Sequence, residues 1–316
     1  MFGADRFHRD VSRFIHVLTG CTAVGKTELA LRWAEKNGAE IVSCDSLLFY
    51  RGMDIGTAKP NLAERARVPH HLIDICDVTG QMDVTQYVTK TRLVLEDLFV
   101  RGKEMLVTGG SGFYLKAFFA PVADEIEVPG DLREELRTRL ERGGLESLLT
   151  ELRRLNPDGL GALDTQNPRR VLRALERCRA SGRTLLALQS EFAAQPAPFS
   201  DYTVRLCELV RDKEELNRRI ETRVAAMMTG GLVEEVRGLL GHGLKANPSA
   251  AKAIGYRETI DFIEGRMTEN ELAPSIVKNT EALVKKQRTW FKTQLPTHQP
   301  VDAASAQLDR LFAPPV

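Results

Sequence analysis

Eight consecutive residues, Gly20-Cys21-Thr22-Ala23-Val24-Gly25-Lys26-Thr27, match the spacing G-x-x-x-x-G-K-[ST]. Glycines let the backbone wrap until successive N–H groups and a helix N-terminus converge on one anion, Lys26 adds a mobile positive charge, and the Thr27 hydroxyl suits Mg²⁺. The loop is therefore expected to bind a di- or triphosphate. It names the anion only: a kinase or an NTPase would use it for ATP, and a prenyl-diphosphate enzyme would present the same oxygens to it.

Asp45-Ser46 follows a short β-branched run, at the strand end where open parallel sheets hold their ligands. A carboxylate there either accepts a proton from a reacting nucleophile or caps a helix. A second run ends at Thr108-Gly109-Gly110-Ser111 without the acidic residue that many NTP-hydrolysing proteins carry for Mg²⁺, which argues against an NTPase. The turn offers the Ser111 hydroxyl instead, as a donor to a leaving phosphate oxygen or an attacking amine, or as an ordinary helix cap. His70-His71 suggests no metal, because neighbouring strand residues face opposite ways and no ligand cluster accompanies them.

The elements that must carry these groups are legible from hydrophobic spacing. Phe14-Ile15-His16-Val17-Leu18 reads as a buried strand. Leu29, Ala30, Trp33 and Ala34 then recur at helical spacing up to the Asn37-Gly38 stop, and Glu40-Ile41-Val42-Ser43-Cys44 reads as a second strand. That order predicts a parallel, right-handed crossover unit. Met105-Leu106-Val107-Thr108 and Tyr202-Thr203-Val204-Arg205-Leu206 continue the sheet. The segment between them is helical in pattern, with Leu132, Leu136, Leu140, Leu148, Leu152, Val171 and Leu175 at three- and four-residue spacings. The predicted fold is α/β, with a parallel-sheet P-loop core over residues 1–120 and 199–299, an inserted helical domain over 121–198, and a poorly ordered Ala/Pro-rich tail over 300–316. The first fourteen residues read as a frayed extension rather than a signal peptide.

With 316 residues, 43% hydrophobic and 28% charged, the chain supports about two packed domains, which excludes a stapled miniprotein and a disordered polyampholyte. A net charge of +1 gives no global pull toward nucleic acid or membrane, so RNA binding requires local basic faces. Arg169, Arg173 and Arg177, four residues apart, supply one such face; Lys278, Lys285, Arg288 and Lys292 supply another. The five cysteines are scattered, as expected for reduced thiols in the cytoplasm, and no apolar run approaches transmembrane length.

Taken together, these stretches resemble the bacterial tRNA dimethylallyltransferases. The resemblance is carried by Asp45-Ser46 and Tyr50-Arg51-Gly52-Met53-Asp54-Ile55-Gly56-Thr57-Ala58-Lys59-Pro60, then by Pro69-His70-His71-Leu72-Ile73-Asp74 and the Gly109-Gly110 turn. Asn167-Pro168-Arg169-Arg170-Val171-Leu172-Arg173 and Ile254-Gly255-Tyr256-Arg257 extend it, so that it runs from Ile15 to Phe291. It implies a nucleotide-kinase-like P-loop core whose helical insertion grips the anticodon stem-loop. The implied reaction moves a dimethylallyl group from dimethylallyl diphosphate to N6 of the adenosine 3′-adjacent to the anticodon in tRNA, with Mg²⁺, and releases pyrophosphate. A cytoplasmic monomer with no membrane partner is expected.

By the same resemblance Asp45 accepts the amine proton, the loop from Gly20 to Thr27 holds the diphosphate with Thr27 on the metal, and Arg257 donates to the pyrophosphate. Ser111 shares the catalytic edge. The implied tRNA contacts are Asp45, Ser46, Leu47, Leu48, Ser111, Arg133, Gln166, Asn167, Arg169, Arg170, Arg173 and Lys285. The target base must leave its stack and enter a channel from the side opposite the diphosphate. Departures from the family pattern are Cys21 for proline, Ser111 for threonine, and Glu281 and Lys286 for arginines in the last helix. A small-molecule or nucleotide kinase is the rival reading. It shares the loop and core, and leaves the block from Asp45 to Pro60 unexplained.

Overall fold

The computed structural model describes residues 13–312, so the expected N-terminal extension lies outside the described residues up to residue 12. Among them, six strands form one parallel sheet: β1 (Phe14–Gly20), β2 (Ala39–Ser43), β3 (His70–His71), β4 (Glu104–Thr108), β5 (Thr203–Val210) and β6 (Val301–Asp302). Their order is β3-β2-β4-β1-β5-β6. β1 and β2, joined by α1 (Lys26–Asn37), are not neighbours; Leu106 of β4 pairs with His16 on one side and Ile41 on the other. β5 resumes the sheet against β1, from Phe14 opposite Thr203 to Gly20 opposite Leu209. Ile15, Val17, Leu18, Leu106 and Val107 are buried, as central strands covered on both faces require.

Inserting β4 between β1 and β2 brings three strand tips together. The Thr19 hydroxyl donates to Gly109 O at 2.9 Å, Cys44 N donates to Thr108 O at 2.8 Å, and Ser111 N donates to Cys44 O at 3.3 Å. Gly109 admits this closeness, since a β-carbon there would lie 2.0 Å from the Cys44 carbonyl oxygen. Gly109→Ala is therefore expected to cost about 1–3 kcal/mol through overpacking and to push Cys44 and Asp45 off the β4 tip. Urea titration checks this; unchanged stability would mean the two tips separate freely.

The chain divides into two compact units, one running to Phe119 and resuming at Pro198, the other Ala120–Ala197. The first also holds α2 (Leu62–Arg67), α3 (Val84–Val100), α4 (Gly112–Lys116), α8 (Lys213–Thr229), α9 (Leu232–Gly241), α10 (Pro248–Ala251), α11 (Tyr256–Ile263) and α12 (Glu269–Gln294). The second packs α5 (Gly130–Leu155), α6 (Pro168–Ser181) and α7 (Leu185–Ala194) around Leu136, Leu148, Leu152, Val171, Leu175 and Leu188. Gly144, at φ 67°, breaks α5 into two segments. None of the described helices is long and apolar enough to cross a membrane.

Residues 301–312 correct the expectation of a tail without order over that stretch. β6 extends the sheet beside β5, Leu311 and Phe312 are buried, and the Phe312 ring lies 4.8 Å from His16 and 5.0 Å from Trp33. A two-residue strand and a single aromatic carry no periodicity from which this could be read.

Candidate active site

The phosphate loop leaves β1 at Gly20, whose φ of 143° and a would-be β-carbon 2.5 Å from Leu209 O exclude any side chain. Two guanidiniums hold its backbone: Arg211 Nε donates to Val24 O at 3.1 Å and Arg219 Nε to Ala23 O at 2.8 Å. The Gly25 amide, trans to the Val24 carbonyl that Arg211 holds, points away from Arg211. Gln287 of α12 closes the other side, accepting from Thr22 N at 3.0 Å and donating to Gly110 O at 3.1 Å. Cys21 and Val24 are buried beneath, whereas Thr22, Ala23, Gly25, Lys26 and Thr27 line a cavity of about 630 Å³.

Lys26 Nζ donates to Gly20 O at 2.8 Å and Cys21 O at 2.9 Å. Burial pulls its ammonium down to about 8, although Cys21 and Asp45 act the other way. The charged form therefore prevails below that pH and is lost above it. Pyrophosphate affinity is expected to fall by roughly tenfold per pH unit on the alkaline side, with proton uptake on binding. Calorimetry in buffers of different ionisation enthalpy checks this, and proton-neutral binding at alkaline pH would remove Lys26 from the contact.

Asp45 stands just past the β2 tip. Its Oδ1 accepts from Leu47 N at 3.0 Å, which fixes the turn, and its backbone N donates to Ser43 Oγ at 3.4 Å. Ser111 supports the same turn: its Oγ accepts from Ser46 N at 2.9 Å and donates to Ser46 Oγ at 3.2 Å. Although it is the residue before α4, Ser111 makes no side-chain cap bond. Ser111 lines a second cavity of about 600 Å³ with Ser46, Leu47, Ile276, Thr280, Leu283 and Trp290, and is absent from the lining of the first.

The two cavities share four lining residues: Thr22, Asp45, Thr57 and Arg223. These four residues form a common wall, the waist, that borders both cavities. Arg223 donates to Thr57 O at 2.8 Å, and burial pulls its guanidinium below the usual arginine value while the Asp45 charge acts in the opposite sense. A carboxylate just past β2 and a half-buried guanidinium on α8 thus border both cavities.

The sequence model of the IPP transferase family matches residues 48–294. The chain belongs to the IPP transferase family. It is 63% identical over 290 residues to the tRNA dimethylallyltransferase of Opitutus terrae, covering 92% of this chain and 93% of that one. It is 39% identical over 300 residues to the tRNA dimethylallyltransferase of Deinococcus radiodurans, covering 93% and 95%. Among solved structures, the tRNA isopentenylpyrophosphate transferase of Bacillus halodurans is similar at a TM-score of 0.66 and 30% identity, covering 95% of this chain and 93% of that chain.

In this IPP transferase fold the block from Tyr50 to Pro60 is mainly scaffold. Glu235 Oε2 accepts from Asp54 N at 3.0 Å and Ile55 N at 2.6 Å, and its Oε1 accepts from Gly56 N at 3.2 Å and the Tyr256 hydroxyl at 2.6 Å. Lys59 is buried, paired with Asp74 at 2.5 Å and Asp54 at 2.7 Å, and donates to Tyr50 O. This double clamp sets Thr57 at the waist and Ala58 and Pro60 in the first cavity.

Several expected residues fall elsewhere. Arg257 lines neither cavity; it is exposed at the start of α11 and pairs with Glu258. Its neighbour Tyr256 packs inward against Gly56, which turns position 257 outward. The guanidiniums at the site are Arg219 and Arg223, one turn apart on α8, which sequence reasoning missed; their four-residue spacing just after a strand was the available signal. On α12, Lys285 is exposed and lines neither cavity, whereas Lys286 and Gln287 line the second. Leu48 lines the first cavity rather than the second.

In the helical unit, Arg133, Gln166, Arg169, Arg170 and Arg173 are exposed, with Arg170 3.8 Å from Asp164 and Arg173 3.0 Å from Glu176. Asn167 caps α6, accepting from Arg170 N at 3.3 Å. Arg177 is withdrawn from that face into an ion pair with Asp124. His71 bonds Glu40 and His70 bonds Val68 O, and no metal-ligating cluster occurs among the described residues.

Proposed function

We propose that this chain transfers a dimethylallyl group from dimethylallyl diphosphate to N6 of the adenosine 3′-adjacent to the anticodon in tRNA, releasing pyrophosphate. The observation that carries the reading is the waist at which Asp45 and Arg223 line both cavities. The diphosphate occupies the loop side, and the adenine enters the second cavity. The N6 lone pair attacks C1 of the allyl group, the C1–O bond breaks, and its electrons leave on pyrophosphate. Asp45 takes the amine proton. The loop amides, Lys26 and Arg223 meet the charge that develops on the leaving group, where preorganised donors act most strongly. Ser111 orients the Asp45–Ser46 turn and offers its hydroxyl to the amine.

The first cavity is lined by the Thr27 and Ser43 hydroxyls and by the carboxylates of Glu28, Asp45 and Glu64, which form no metal-ligating cluster among the described residues; this suits Mg²⁺ carried on diphosphate oxygens rather than a protein cage. Thr27 would hold it, and bound there it neutralises pyrophosphate charge. The exposed Arg133, Gln166, Arg169, Arg170 and Arg173, with Asn167 at the α6 cap, serve the anticodon stem-loop as phosphate and loop contacts. Such an enzyme works in the cytoplasm, and a monomer holds every group named here.

Incubation with labelled dimethylallyl diphosphate and an unmodified anticodon stem-loop, against ATP with candidate small acceptors, tests the reading. Label on the loop adenosine is expected. ADP release without label transfer would sink it in favour of a kinase.

A further inference from the structure

The mouth of the second cavity pairs an outward aromatic ring with cations. Phe113, in the first turn of α4, is 57% exposed and yet lines this cavity. It adds nothing to the core, because α4 is anchored by buried Leu115 and by Tyr114, whose ring lies 4.8 Å from Tyr87 and 5.5 Å from Phe49. The Trp290 ring covers Gly112, so closely that a β-carbon there would lie 2.6 Å from it, and it lines the same mouth. Lys252 and Lys286, both exposed, complete the rim. Aromatic faces flanked by cations are how proteins hold splayed single-stranded bases, since every base has a π-face and a neighbouring phosphate.

We propose that Phe113 stacks on the loop nucleobase flanking the reacting adenosine, and so holds the RNA loop open while that adenosine occupies the second cavity. The inference rests on the prenyl-transfer reading and deepens it. The ring is more than half exposed at the solvent side of the chamber, where it meets a base beside the reacting one, and a small acceptor would need no such exposed aromatic surface.

The test uses an anticodon stem-loop in which each of the two nucleotides flanking the target adenosine is made abasic in turn. With unmodified RNA, Phe113→Ala is expected to weaken binding by about tenfold in fluorescence anisotropy, at unchanged melting temperature. Phe113→Leu, which keeps apolar volume without a ring, is expected to do the same, and Phe113→Tyr to restore binding. One abasic position should weaken the wild type by a similar factor and leave Phe113→Ala unaffected. Equal binding by wild type and Phe113→Ala, or losses that multiply at both abasic positions, would overturn the stack. Prenyl transfer by the wild type is measured alongside, so that failure of the reaction and failure of the stack are read separately.

Discussion

Asp45→Asn is expected to lower single-turnover prenyl transfer by ~10²–10⁴, the usual loss for a missing general base, while RNA and diphosphate affinities stay within a few-fold. The amide oxygen of asparagine still accepts from Leu47 N, so the turn survives and the change is electrostatic. Two consequences follow from the waist. The adenine amine loses its proton acceptor, and Lys26 loses an anion that helps to keep it charged. The pH at which pyrophosphate affinity begins to fall should therefore move downward in the variant. Turnover near the wild-type level would remove Asp45 from proton transfer and leave it as a turn former.

Arg223→Gln should cost ~10²–10³ in turnover, the range seen when a preorganised donor to a developing anion is removed. The guanidinium already donates to Thr57 O and borders both cavities, so it can bridge scaffold and leaving group without reorganising. Lysine offers a point charge without the planar fork, and Arg223→Lys should recover less than about tenfold of the loss. Arg257→Ala is the contrast. An exposed side chain paired with its sequence neighbour contributes little, and about threefold or less is expected. The reverse ranking of these two arginines in steady-state and single-turnover assays would mean that α11 rather than α8 supplies the leaving-group donor.

The two arginines mark where reading the chain stops. A motif match at Gly255-Tyr256-Arg257 says which residues travel together, not which of them points inward. Burial of Tyr256 against Gly56 decides that, and it turns Arg257 to solvent. Helical spacing likewise put Lys285 and Lys286 on one helix, and only the packing of α12 through Ile276, Val284 and Phe291 selected which lysine meets the cavity. The block from Tyr50 to Pro60 was visible as a unit, but its reason, a buried Lys59 held by Asp54 and Asp74 and a turn held by Glu235, involves partners up to 181 residues away.

What the sequence by itself determined is local: an anion loop between a buried strand and a helix, a carboxylate at the next strand end, a glycine turn with a hydroxyl, and a helical insertion. Each depends on backbone freedom or hydrophobic period within a few residues, and these survive any arrangement of distant partners. The tertiary structure alone decided that β4 separates β1 from β2, that β6 completes the far edge while Phe312 packs on His16 and Trp33, and that α8 brings Arg219 and Arg223 to the cradle. Those outcomes turn on which buried charge or ring finds a partner across the fold, a choice made by close packing and desolvation rather than by spacing along the chain.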